Sequence, residues 1–176
     1  MLKVEVVYAE PKKDRRVEAV EEVESSGHPA AASRGPKGPT AILIVEDDED
    51  MAASIRELIT MSIDDVDVRL ASSAEEGWEV LEARTAEEPI DVVISDYDMP
   101  GMNGLEFLRK VRREHPDVAR VMVTAHVRTI KRTEAVEEGD IQQFLVKPVD
   151  STNLVETLKY ILRGEGPPGQ GPNPFG

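Results

Sequence analysis

Residues 41–50 read AILIVEDDED: five apolar residues in a row, then five acids. An apolar run with no polar alternation is the mark of a strand covered on both faces. The abrupt change to acids marks the point where such a strand leaves the core and a helix starts, because carboxylates favour a helix N-terminus. Met51, Ile55, Leu58 and Ile59 then recur at i, i+4, i+7 and i+8, which is one face of a helix. A buried strand followed by an amphipathic helix is the repeating unit of a parallel sheet, and the chain repeats it.

Val66, Val68 and Leu70 alternate with Asp67 and Arg69, so the second strand is half buried and belongs at an edge. Ser73-Ala74-Glu75-Glu76 has the pattern of a capping box opening the second helix. Ile90 to Ser95 reads as a third strand, and Gly104 to Glu114 as a helix with Leu105, Leu108 and Val111 inward. Val118 to Val123 is a fourth strand, Arg128 to Glu138 a helix, and Ile141 to Val146 a fifth strand. Asp150 or Ser151 caps a last helix with Leu154, Leu158, Ile161 and Leu162 inward. Five βα units with short loops predict an α/β fold, a (βα)5 doubly wound five-stranded parallel sheet with right-handed crossovers.

This domain spans residues 40–163. Residues 1–24 form an N-terminal extension. In it Lys3 to Tyr8 reads as a short strand, and Arg15 to Glu24 as either a weak helix or a returning strand. Residues 25–39 are a linker rich in Ser, Gly, Pro and Ala. Residues 164–176, mostly Gly and Pro, predict a disordered tail. The 176 residues contain no cysteine, which excludes a disulfide scaffold, a thiolate metal site and a Cys nucleophile. No apolar run approaches the roughly 20 residues that span a bilayer, and the first residues lack a secretory signal, so a cytoplasmic protein without membrane insertion is expected. Nearly all of the net charge of −14 falls in residues 40–163. Such a surface repels phosphate backbones and excludes direct nucleic-acid binding. It suits cations and basic partners, or serves only solubility.

In a sheet of this kind ligands sit beyond the carboxyl ends of the strands. Strand one ends in Glu46 and Asp47, strand three in Asp96-Tyr97-Asp98, strand four in Thr124-Ala125 and strand five in Lys147-Pro148. Carboxylates from two strands do not crowd together without a proton or a cation. Hard oxygen donors with room for water suit Mg2+. A Lys and a Thr hydroxyl nearby suit phosphoryl oxygens, and an Asp can serve as a nucleophile, giving an acyl phosphate. Each residue alone has a plainer use: the acids as a helix N-terminus, Thr124 as a strand-end hydroxyl, Asp96 as a helix cap, Lys147-Pro148 as a turn. The combination of four strand ends carries the functional reading.

ILIVEDDED (42–50), ISDYDMPGMNGLEFL (94–108), VMVTAH (121–126) and FLVKPVD (144–150) together resemble the CheY-like receiver domain of two-component response regulators, over residues 41–162. The fold that the resemblance implies is flavodoxin-like. It implies that Asp96 is the phosphoacceptor, that Asp47 binds Mg2+ directly and Glu46 largely through water, and that the backbone carbonyl of Asp98 completes the metal site. It further implies that Thr124 grips the phosphoryl oxygens, that Lys147 pairs with Asp96 or its phosphate, and that Phe144 is an aromatic switch. Pro148 would follow Lys147 through a cis peptide bond. Glu46 stands where Asp is commoner, and Asp98 and His126 occupy positions that tune acyl-phosphate hydrolysis. The stretch Glu138 to Gln143 departs from the family's usual Gly-Ala pattern.

The resemblance implies a sensor histidine kinase or histidine phosphotransfer protein as phosphodonor, a downstream effector protein as partner, and no enzyme activity beyond self-phosphorylation and self-dephosphorylation at Asp96. A homodimer stays open. With only a short tail after Arg163, a stand-alone receiver acting through surface contacts is expected. Two rivals remain: a silent pseudo-receiver that binds a partner without phosphorylation, and a haloacid dehalogenase-like phosphatase, whose Asp-x-Asp motif Asp96-Tyr97-Asp98 mimics. In that family the motif lies on the first strand.

Overall fold

The computed structural model describes residues 38–84, 88–125 and 140–163. Five strands, β1 (Thr40–Val45), β2 (Val66–Ala71), β3 (Val92–Asp96), β4 (Ala119–Thr124) and β5 (Gln143–Val146), form one sheet in the order β2-β1-β3-β4-β5. All four neighbouring pairs are parallel. Four helices accompany them: α1 (Glu49–Ser62), α2 (Ala74–Ala83), α3 (Gly104–Glu114) and α4 (Ser151–Leu162). The expected doubly wound sheet is therefore present, with β2 at an edge. The expected helix over 128–138, the extension over 1–24, nearly all of the linker and the tail lie outside the described residues.

Side chains of a strand alternate between faces, and the core divides accordingly. Leu43 and Val45 join Val93, Met122, Phe107, Leu108 and Val111 on the face covered by α2 and α3. Ile42 and Ile44 join Val92, Ile94, Val121 and Leu145 with Ile55, Ile59, Leu154 and Leu158, under α1 and α4. Both faces of β1 are buried, as its unbroken apolar run requires.

Several local expectations need correction. The helix α3 turns Phe107 fully inward while Leu105 is only partly covered. The strands β3, β4 and β5 start later than their apolar runs, and Ile90 and Ile141 are buried ahead of the ladder. Ser73 caps α2 by accepting from Glu76 N–H. The reciprocal half of the capping box is displaced by one residue, since the Glu76 carboxylate accepts from the N–H and hydroxyl of Ser72, both at 2.7 Å. Asp150, not Ser151, caps α4.

Asp140, just before β5, is buried. Its carboxylate accepts from Arg109 Nε at 2.7 Å and Arg112 Nη1 at 2.8 Å, so one acid holds two arginines of α3. Burial raises its pKa, but the two guanidinium hydrogen bonds and their charges outweigh that and hold it below the ordinary carboxylate value. Stability from a lowered carboxylate is fully present above the unfolded pKa and is lost as pH falls through the folded one. Asp140→Asn is thus expected to lose about 2 kcal/mol in urea unfolding at neutral pH, the size of charged hydrogen bonds discounted for two half-exposed arginines. Its deficit should begin to shrink as the pH falls below the ordinary Asp value of about 3.9 and disappear only once the pH has passed through the lowered folded value. An undiminished deficit there would contradict the assignment.

Candidate functional site

The acidic run after β1 divides by function. Asp48 caps α1 by accepting from Met51 N–H, and Glu49 and Asp50 occupy the first helical turn. Glu46 and Asp47 are left to the sheet edge. Glu46 is buried and Asp47 is exposed. Because β1 and β3 are hydrogen-bonded neighbours, Asp96 at the end of β3 comes up beside them. Ligand oxygens of Glu46, Asp47 and Asp96 lie within 4.8 Å of one another.

Lys147 reaches this group from β5, two strands away from β3. Its Nζ stands 3.0 Å from Asp96 Oδ2 and 2.8 Å from Glu46 Oε2, and donates to Glu46 Oε1 at 3.1 Å. Burial works against the lysine charge, yet the hydrogen bonds to Glu46 and Asp96 prevail and hold its pKa above the ordinary value. Burial also pushes the Glu46 carboxyl up; the Lys147 hydrogen bond opposes this and the Asp96 charge adds to it. The lysine therefore faces more negative charge than it can neutralise.

Asp96 is 4% exposed, and its Oδ1 accepts from Tyr97 N–H at 2.8 Å. Ser95 Oγ donates to the Asp96 carbonyl at 2.9 Å. Asp96 is not a helix cap, since Asn103 caps α3. Gly101 takes a φ of 80° in the loop between them, a conformation that favours glycine. Asp98 lies in this loop with its side chain exposed, and its carboxylate is not one of the three that converge. Thr124 is fully buried at the end of β4, and its carbonyl accepts from Lys147 N–H at 2.9 Å. Phe144 is packed in the core with Phe107 and Met122. The Lys147-Pro148 peptide is cis.

Whether Mg2+ suits the site is decided by its donors. Three carboxylates against one ammonium leave uncompensated negative charge. Glu46 Oε2 is buried and makes no hydrogen bond, although the Lys147 ammonium is close by. Three converging carboxylates, one with an oxygen that is ion-paired but not hydrogen-bonded, are a hard-oxygen donor set of the kind that suits a divalent cation. The residues fit.

Sequence reasoning named these residues but missed two others. Gly104 starts α3 so close to β3 that an added Cβ would stand 1.9 Å from the Asp96 carbonyl oxygen. Only the Gly in the loop Pro100 to Gly104 signalled it. Asp140 was the other, and nothing local distinguishes it from a surface acid.

Known proteins give the same picture. The family model described as "Response regulator receiver domain" matches residues 42–159. A chemotaxis protein CheY homolog of Campylobacter jejuni is 35% identical over 130 residues, covering 71% of this chain and 96% of that protein. The hydrogenase transcriptional regulatory protein HoxA of Cupriavidus necator is 27% identical; the match covers 71% of this chain but only 24% of that longer protein. Among solved structures, the signal receiver domain of an HD domain-containing protein from Pseudomonas fluorescens Pf-5 aligns with a TM-score of 0.63 at 25% identity, covering 70% of this chain and 94% of that one. No helix among the described residues is long and apolar enough to cross a membrane. Fold, strand-end chemistry and kinship converge, and the chain belongs to the receiver domain family of response regulators.

Proposed function

We propose that the chain accepts a phosphoryl group on Asp96 from a phosphohistidine of a sensor kinase or a phosphotransfer protein, and that the modified domain presents an altered surface to an effector protein. The observation that carries this reading is the Lys147 ammonium held between Glu46 and the buried Asp96.

A carboxylate oxygen of Asp96 attacks phosphorus. The new O–P bond forms as the P–N bond to the donor imidazole breaks, and the imidazole leaves with the electron pair. The Tyr97 N–H and Lys147 fix the Asp96 carboxylate, so little reorganisation is needed before attack. Mg2+, when bound by Glu46, Asp47, Asp96 and the Asp98 carbonyl, supplies charge neutralisation for the phosphoryl oxygens. Lys147 supplies further positive charge beside Asp96. Thr124, at the end of the adjacent strand, offers a hydroxyl to the transferred group. The product adds close to two negative charges at the site. Re-pairing of Thr124 and Lys147 with them biases the packing of Phe144 and β5.

Incubation with acetyl phosphate and Mg2+, followed by intact mass measurement, tests the reading. One phosphoryl adduct is expected, lost when a chelator is added. An unmodified mass after rapid quenching, together with no binding of beryllofluoride, would sink it and favour a silent receiver.

A further inference from the structure

At the end of the sheet far from the acidic cluster, a second group of charges is placed where the phosphoryl chemistry does not use it. The strand β5 has four residues and, among the described residues, a single neighbour in the sheet, β4. Such a strand has few ladder bonds, so its register rests on Phe144 and Leu145 in the two core layers and on whatever holds its ends, and a slip of one residue would turn every side chain to the opposite face. A slip of two keeps the faces but carries the end of the strand about 7 Å along. Either would take Lys147 away from Asp96.

Main-chain bonds bound the pairing at both ends: Gln142 N–H to the Arg120 carbonyl at 2.8 Å, and Lys147 N–H to the Thr124 carbonyl at 2.9 Å. The Gln142 end is reinforced. Arg120 N–H donates to Gln142 Oε1 at 2.6 Å, and Arg120 Nε donates to the Asp140 carbonyl at 2.8 Å. The same guanidinium donates to the carbonyls of Val118 and Pro116. The Asp140 carboxylate is tied in turn to Arg109 and Arg112 of α3. A bracket of side chains thus joins α3, the start of β4 and the segment leading into β5. Arg120 is 4% exposed, and burial pushes its guanidinium down to about 10, so it stays charged at neutral pH. Holding a cation there carries a desolvation cost that a neutral core residue would avoid.

We propose that Arg120 and Asp140 are positioning residues for Lys147: the bracket locks the register of β5 and so sets where the ammonium meets Glu46 and Asp96. The inference rests on the role given to Lys147 above. Arg120 and Asp140 touch no reacting atom. They act at the opposite end of the strand, Asp140 with six residues between it and Lys147 and Arg120 from the neighbouring β4.

The test compares the full chain with Asp140→Asn, Asp140→Glu and the milder Arg109→Gln, which removes one of the two partners of Asp140. Ile59→Val, in the opposite core layer, is the control for general loosening. Labelling rates with acetyl phosphate are measured over a range of phosphodonor and Mg2+ concentrations. Hydrogen exchange is followed in peptides covering residues 143–147. Asp140→Asn is expected to lower the maximal rate about tenfold, because small misplacements of a positioned group cost that much or more. The half-saturating concentrations should stay within about twofold, as expected when an interaction of the transition state is lost. Asp140→Glu should recover most of the rate, Arg109→Gln should fall between, and Ile59→Val should leave the rate unchanged. Faster exchange in β5 should accompany the slow variants. A parental maximal rate in Asp140→Asn would overturn the proposal. So would an equal slowing in Ile59→Val, or the absence of recovery in Asp140→Glu. Should Asp140→Asn fail to fold, Arg109→Gln decides by the same comparison. If even the parent takes no label, the phosphoacceptor reading fails separately, and the exchange data judge the bracket. Unchanged protection of β5 in Asp140→Asn refutes it, and lost protection supports it.

Discussion

Asp96→Ala is expected to take up no phosphoryl group from acetyl phosphate and Mg2+, while keeping its fold. The side chain has acidic neighbours, so the specificity of the loss needs an argument. Asp47 and Asp98 are exposed, whereas Asp96 is buried with one oxygen held by Tyr97 N–H and the other beside Lys147. Of these three aspartates only Asp96 is both fixed and faced by a cation; Glu46 also meets Lys147, but one of its oxygens is taken by that hydrogen bond. Stability should change little, and in a predictable direction. The charge of Asp96 raises the pKa of buried Glu46, so removing it relieves a repulsion between like charges and leaves Lys147 paired with Glu46. Circular dichroism and thermal unfolding should show a folded protein at least as stable as the parent, and intact mass should show no adduct. An adduct on Asp96→Ala equal to that of the parent would end the phosphoacceptor assignment. Asp96→Asn, which keeps the shape and loses the charge, should behave in the same way.

Gly104→Ala should damage the protein at a position where the same exchange usually helps. Alanine in a helix is ordinarily favoured over glycine by close to 1 kcal/mol. Here the added methyl would stand 1.9 Å from the Asp96 carbonyl oxygen, 2.8 Å from its carbon and 3.0 Å from Ser95 Oγ. These are main-chain and buried atoms that cannot swing aside. Gly104 N–H also donates to the Tyr97 carbonyl at 3.0 Å, so α3 and the end of β3 must part for the methyl to fit. Overpacking of this kind costs about 3 kcal/mol or more. The strain falls on the loop carrying Asp98 and on Asp96 itself, so labelling should slow together with the loss of stability. Urea unfolding and labelling rates measure both, and an unchanged midpoint would show that the approach of α3 to β3 is looser than described.

Features that repeat along the chain were legible in it. The apolar run of β1 and the alternation of β2 each follow from how many faces of the strand are covered, and the structure places β1 inside the sheet and β2 at its edge. Glu46, Asp96, Thr124 and Lys147 were legible because a parallel sheet puts all its strand ends on one side, so position along the chain translates into proximity. Features set by partners distant in sequence were not. Asp140 meets Arg109 and Arg112 from about thirty residues away, with no periodicity to announce it. Phe107 displaced Leu105 from the interior because α3 packs against β3 and β4 in an orientation that spacing alone does not specify. Glu76 binds Ser72 because a glutamate has the length to pass its usual capping partner.

The two rims of the sheet also bear on how the protein behaves in a crowd. An open strand is a template on which a second chain can lay its own backbone. The β2 rim carries Asp67 bound to Arg69 and Arg84, charges that an incoming strand would have to strip of water. At the β5 rim the template is four residues long, too short for a ladder of more than a few bonds. Among the described residues, a sheet finished in these two ways offers a second chain little backbone on which to grow end to end.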